Sequence, residues 1–173
     1  EEKIKELELV DELKGVTIVH PSKHPHFRKY VDTYYQERQR KGVLYAEAER
    51  LMADPYYFAA MAVRMDDAQA QVSGATNTYA NCVKPILQII GAGQNKVASG
   101  MNIVLVDNRI VFFADTTINV EPTAEQLAAI AFHVASVADY FRIPPRVAML
   151  SYTNFSGEHL NPKKMRNTAK TLK

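Results

Sequence analysis

The sequence predicts an α/β chain, a three-layer α/β/α sandwich on a mixed sheet, and three observations predict it. Met101–Val106 and Arg109–Ala114 are apolar, β-rich and too short for helices, and Asp107–Asn108 between them suits a two-residue hairpin turn. Both faces of these runs are apolar, so they are expected inside a sheet covered on both sides. Thr123 followed by Gln126 makes a capping box with Pro122 just ahead, and Leu127, Ile130, Ala131, Val134, Ala138 and Phe141 then fall on one helical stripe. Pro144 and Pro145 stop that helix, and Arg146–Leu150 reads as the next strand.

The remaining elements extend the pattern from the N-terminus. Glu1–Lys14 has Ile4, Leu7 and Leu13 at helical spacing, with Gly15 as a stop. Val16–Val19 reads as a short strand, and His20-Pro21-Ser22 as a loop. His24–Lys41 reads as a helix with Phe27, Tyr30, Val31, Tyr34 and Arg38 along one side, ended by Gly42. Leu44–Met52 predicts a further helix, and Asp54-Pro55 starts another that carries Tyr57, Phe58, Met61 and Val63. Ala70–Ser73 reads as a strand, followed after Gly74 by a polar loop and a helix containing Val83, Ile86, Leu87 and Ile90. Pro85 leaves the start of that helix open, because proline fits best at the first helical position. The order αβααβαββαβα is that of helices layered on a mixed sheet.

Bulk properties exclude several classes. A chain of 173 residues suits one domain able to bury roughly 70% of its unfolded surface. A net charge of +2, with no block of lysine and arginine, gives no nucleic-acid signature. Cys82 is the single cysteine, which rules out an intrachain disulfide and fits a reducing compartment. No apolar run approaches the ~20 residues that span a bilayer. The start, EEKIKELELVDEL, is charged throughout and unlike a signal peptide, so a cytoplasmic protein is expected. Residue 1 is glutamate and the other end lies in a charged helical pattern, NPKKMRNTAKTLK, so a longer parent is also expected.

Few residues carry chemistry on their own account. In Val72–Thr78, VSGATNT, a strand passes through Gly74 into a helix start, whose N–H groups and dipole favour an anion. Lys84 lies a short way on; a plain β–α connection is the simpler reading. Asp115, at a strand end, suits a ligand hydrogen bond or a turn cap. Ser151-Tyr152-Thr153-Asn154-Phe155-Ser156-Gly157 follows a strand, where α/β sheets place ligands, although Tyr152 and Phe155 also suit covering the sheet end. The prolines between His20, His24 and His26 break regular ligand spacing, so surface histidines are expected there and no metal site. His133 reads as a partly buried packing residue, and Cys82 as inert core.

The segments FADTTINVEPTAEQLAAIA and PPRVAMLSYTNFSG resemble the phosphate acetyltransferase (phosphotransacetylase) family. More narrowly, they resemble the copy of that fold at the C-terminus of large NADP-dependent malic enzymes, through ADTT–N–PTAEQLA and SYTNF. The similarity runs from about Val16 to about Leu160. It implies a phosphotransacetylase / isocitrate-dehydrogenase-like fold, with residues 1–173 one partial domain lacking the family domain's C-terminal part. It also implies an anionic pocket lined by Thr76, Asn77 and Thr78. Lys84 stands before Pro85 where the family has arginine; a lysine keeps the charge but loses the bidentate fork. Arg38 matches a second pocket arginine, and Thr116 stands where acting transacetylases often carry cysteine. Asp115, Ser151 and Asn154 complete the implied ligand set.

The family's catalytic serine–arginine pair and carboxylate base lie in a later segment, so no catalytic residue is expected here, and no glycine-rich dinucleotide fingerprint is present. The resemblance implies an acetyl-CoA-sensing regulatory and oligomerisation domain of a malic enzyme, with no cofactor bound by this segment. NADP and a divalent metal would belong to the parent's N-terminal domains. The implied partners are acetyl-CoA or an acetyl phosphate-like anion, the parent's own N-terminal malic enzyme domain, and further copies in a homodimer or higher homo-oligomer. The alternative is a working phosphate acetyltransferase that moves acetyl between CoA and phosphate.

Overall fold

In a computed structural model of the chain, residues 5–9, 11–92, 97–151 and 160–172 are described. The chain forms two compact units, Glu1–Ile90 and Gly91–Lys173.

The first unit is helical. Helix α1, Phe27–Arg38, follows a 3-10 turn at Pro21–Lys23 and ends through a second one at Gln39–Lys41. Gly42 closes it at φ +88°, a conformation that a side chain would strain. Helix α2 spans Tyr45–Met52 and α3 spans Pro55–Arg64. Asp54 caps α3 by accepting from the N–H groups of Tyr56 and Tyr57, and Pro55 occupies the first turn, where its missing N–H is harmless. Helix α4, Tyr79–Ile89, is capped by Thr78, so its start lies well before Pro85. An interior proline removes one backbone hydrogen bond, and here the Pro85 ring is fully buried. Tyr30, Val31 and Tyr34 of α1, Ala48 and Met52 of α2, and Tyr57, Phe58, Ala60 and Met61 of α3 form one buried cluster with Phe27 and Ile89. The periodic apolar positions of α1 are those it buries.

In the second unit, β1 (Met101–Val106) and β2 (Arg109–Ala114) pair antiparallel, with Met101 opposite Ala114 and Val106 opposite Arg109. Asp107 and Asn108 both take positive φ, as a tight hairpin with the strands' twist requires. Helix α5, Ala124–Tyr140, starts with the capping box, Gln126 N–H donating to Thr123 Oγ1 and Thr123 N–H to Gln126 Oε1. Replacing Thr123 with alanine should cost about 0.5–2 kcal/mol, read as a lower midpoint in urea unfolding. Ala128, Ile130, Ala131 and Ala138 are buried, whereas Phe141, at the end of the expected stripe, is half exposed against Phe112 of β2. Helix α6, Leu160–Thr171, packs on α5, and the buried Thr168 hydroxyl lies within hydrogen-bond distance of the Ala124 and Lys164 carbonyls.

Several elements differ from expectation. Val16–Val19, Ala70–Ser73 and Arg146–Leu150 lie in no ladder; among the described residues β1 and β2 are the strands that pair. A strand needs a neighbour's N–H and C=O groups, which alternation alone does not supply. The hairpin is therefore not covered on both sides: Ile103, Leu105, Val106, Ile110, Val111 and Phe113 are exposed. The N-terminal helix does not continue to Lys14, because Glu8 adopts φ +55° and turns occupy residues 11–15.

Candidate anion-binding site

Arg38 closes the last turn of α1, where a cation is favoured by the helix dipole. Its Nε atom is buried and, among the described residues, has no hydrogen-bond partner. One turn back, Tyr34 donates to Gln88 Oε1 at 3.1 Å, and Gln88 lies one turn beyond Lys84 on α4. Tyr57 of α3 donates to the same oxygen at 2.8 Å. Burial raises the Tyr34 hydroxyl above its ordinary pKa, while the neighbouring Arg38 guanidinium opposes that shift. Lys84 is exposed.

The Thr76–Thr78 loop leads into α4. Asn77 Oδ1 accepts from the Thr78 N–H and from Asn81 Nδ2, both at 2.9 Å, and Thr78 Oγ1 accepts from the Asn81 N–H at 3.4 Å. The Tyr56 and Thr76 hydroxyls lie 3.4 Å apart. Asn77 and Thr78 therefore already serve as caps, and the exposed Thr76 is engaged least. Arg38, the Thr76–Thr78 loop and Lys84 all belong to the first unit.

Asp115, Thr116 and Ser151 belong to the second. Asp115 sits just past β2 and accepts from the N–H groups of Gly100 (2.9 Å), Ile118 (3.2 Å) and Asn119 (2.8 Å), and from the Asn119 side chain. Burial pushes its pKa up, but these donors hold it below the usual carboxylate range. This geometry is that of a turn cap. Thr116 Oγ1 accepts from Asn102 Nδ2 at 2.9 Å. Ser151 is half-buried. Asn154, with Tyr152, Phe155 and His159, lies outside the described residues.

Sequence reasoning did not single out Gln88, Tyr57 as a polar residue, or Asp67. A tyrosine on a buried stripe needs a partner for its hydroxyl, which is the signal that points to Gln88. Asp67 Oδ2 accepts from the Tyr30 hydroxyl at 2.7 Å and lies 2.9 Å from His26 Nδ1, contacts that hold its carboxyl below the ordinary range. His24 packs edge-on against Phe58. His20 is exposed as expected, whereas His24 and His26 are intermediate in burial and set their rings against Tyr30 at the edge of the aromatic core. Among the described residues, no group of three or more His, Cys, Asp or Glu side chains is placed to hold a metal ion. None of the expected ligand residues lines the cleft of about 530 Å³ beside Lys23, His24, Arg28, Glu49 and Arg50.

An α/β chain that ends α1 on a cation, with Lys84 and the Thr76–Thr78 loop in the same unit, has groups whose chemistry suits an anion. Comparison with known proteins narrows this class. The sequence model described as phosphate acetyl/butaryl transferase matches residues 1–173. A phosphate acetyltransferase of Nitratidesulfovibrio vulgaris is 38% identical over 156 residues, 89% of this chain and 22% of that protein. An NADP-dependent malic enzyme of Rhizobium meliloti is 36% identical over 148 residues, 83% of this chain and 19% of that protein. A solved phosphotransacetylase from Streptococcus pyogenes superposes with a TM-score of 0.83 at 32% identity, covering 99% of this chain and 54% of that one. The chain belongs to the phosphate acetyl/butaryl transferase family. It spans about half the length of this solved relative and about a fifth of these two sequence relatives.

Proposed function

We propose that this chain is the acetyl-CoA-responsive regulatory and oligomerisation domain of an NADP-dependent malic enzyme. The parent would oxidatively decarboxylate malate to pyruvate and CO2 in the cytoplasm, with NADP and a divalent metal held by its N-terminal malic enzyme domain. Malic enzymes among the relatives, and the ADTT and SYTNF segments, support this branch. The observation that carries the reading is the Arg38 guanidinium at the end of α1, in the same unit as Lys84 and the Thr76–Thr78 loop, a set of groups that suits the phosphate oxygens of acetyl-CoA or an acetyl phosphate-like anion. Lys84 adds charge without a bidentate grip, which favours binding over catalysis. Thr116 Oγ1 accepts from the Asn102 side-chain amide, which cannot serve as the base that a nucleophilic threonine needs.

Regulation then requires acetyl-CoA to bind one arrangement of the homo-oligomer better than another, a coupling of about 1–3 kcal/mol. The exposed apolar faces of β1 and β2 favour an assembly contact. In the full-length parent, acetyl-CoA should lower malate turnover, and Arg38→Gln should abolish most of that response. Turnover indifferent to acetyl-CoA would remove the regulatory reading.

The second reading, an active phosphate acetyltransferase, is favoured by relatives of that name at 36–39% identity. Assaying the parent for acetyl phosphate formation, with and without Lys84→Arg, separates the two. Substantial formation from acetyl-CoA and phosphate would favour the enzyme.

A further inference from the structure

The cleft of about 530 Å³ in the first unit contains no residue of the Arg38 site, yet it has the size of a small-molecule pocket, about 300–1,000 Å³. Part of its lining is α2. Ala46, Glu49, Arg50 and Ala53 fall at i, i+3, i+4 and i+7, one side of a helix, and the two alanines leave room beside the longer side chains. The rest comes from the Pro21–Lys23 turn and the start of α1, which supply Lys23, His24 and Arg28.

Three cations, Lys23, Arg28 and Arg50, are thus set against Glu49, the acidic member among the described lining residues, an excess of two positive charges. Arg28 Nη1 lies 3.0 Å from Glu49 Oε1, and a guanidinium with five N–H donors keeps capacity for a second acceptor. The Arg28 side chain is 69% exposed, so this pair adds little stability and yields readily to an anion. His24 is held more firmly. Its ring packs edge-on against Phe58, and its Nδ1 accepts from the His26 N–H at 3.2 Å. The other ring nitrogen then carries a proton whether the ring is neutral or charged, which makes His24 a fixed donor.

We propose that this cleft is a second anion site, at the opposite end of α1 from Arg38, and that it takes the phosphate monoester of a small molecule. A monoester is close to a dianion at pH 7, which matches the two unbalanced positive charges. Its three terminal oxygens suit the planar forks of Arg28 and Arg50, with Lys23 as a point charge. Arg28 and Arg38 stand ten residues apart on one helix, roughly 15 Å along its axis, so one small ligand does not serve both ends. The inference is independent of what Arg38 binds.

The test titrates glycerol 3-phosphate into the full chain and follows the backbone amides of residues 22–28 and 46–53 by NMR, in the wild type and in Arg38→Gln. Saturation below about 1 mM in both is expected. Arg50→Gln and Lys23→Gln should each weaken binding about three- to tenfold. Lys41→Gln, an equal charge change outside the cleft, should not. Glu49→Gln removes the carboxylate that competes for Arg28 and should tighten binding about threefold, whereas Glu37→Gln, which breaks the pair with Arg64, should leave it unchanged. Dimethyl phosphate, a singly charged diester, should bind at least about tenfold more weakly. Lys23 and Arg50 are exposed, so their variants keep the fold, which thermal midpoints check. Shifts that never saturate, equal binding of the diester, or loss of the cleft shifts in Arg38→Gln would overturn the proposal. So would a Lys41→Gln effect as large as that of Arg50→Gln, since general surface charge would then suffice.

Discussion

Asp115→Ala is expected to destabilise the second unit by several kcal/mol, on the order of 1–3 for each half-buried amide left without its acceptor. The carboxylate gathers the N–H groups of Gly100, Ile118 and Asn119 into one turn at the end of β2, and nothing in alanine replaces it. Asp115→Asn should cost less, since it keeps one acceptor oxygen but presents an NH2 group to donors. The same geometry sets a pH dependence. The carboxyl pKa is lower folded than unfolded, so its stabilisation is complete above about pH 4 and fades as pH falls through the folded value. Urea unfolding followed at neutral pH and near pH 3 should show the wild-type advantage over Asp115→Asn shrinking at the acid end. An equal advantage at both would contradict the cap.

Met61→Ala should weaken the first unit by about 2–5 kcal/mol, the range for truncating a buried aliphatic side chain. Met61 is fully buried among residues of α1, α2 and α3, so its removal opens a cavity that three helices border. Met61→Leu conserves volume and should lose less than about 1.5 kcal/mol. Both are read from the urea midpoint at constant slope. Similar midpoints for the alanine and leucine variants would mean that the site collapses freely and that the cluster is not a packed core.

Local rules account for what the sequence discloses. Asp107–Asn108 between two β-rich runs, and Thr123 three residues ahead of Gln126, are complete instructions within a few residues, and both form as expected. The helical stripe of α1 likewise marks Phe27, Tyr30, Val31 and Tyr34 as core. Strands are different, because Val16–Val19 and Arg146–Leu150 carry the right residues yet become strands only beside another segment. The site divides along the same line. Arg38 and Lys84 stand out through a family resemblance, whereas Gln88 receives hydroxyls from residues 54 and 31 positions away, which no spacing rule reveals. Asp115 was legible as a strand-end carboxylate, but its grip on Gly100 and Asn119 was not.

An acetyl-CoA-responsive domain requires that Arg38 meet an acetylated anion. Calorimetric titration of acetyl-CoA into the wild-type chain and Arg38→Gln tests this most directly. Saturable binding by the wild type, competed by inorganic phosphate and weakened at least tenfold in the variant, is the predicted result. Equal heats from the two proteins, or none from either, would contradict it.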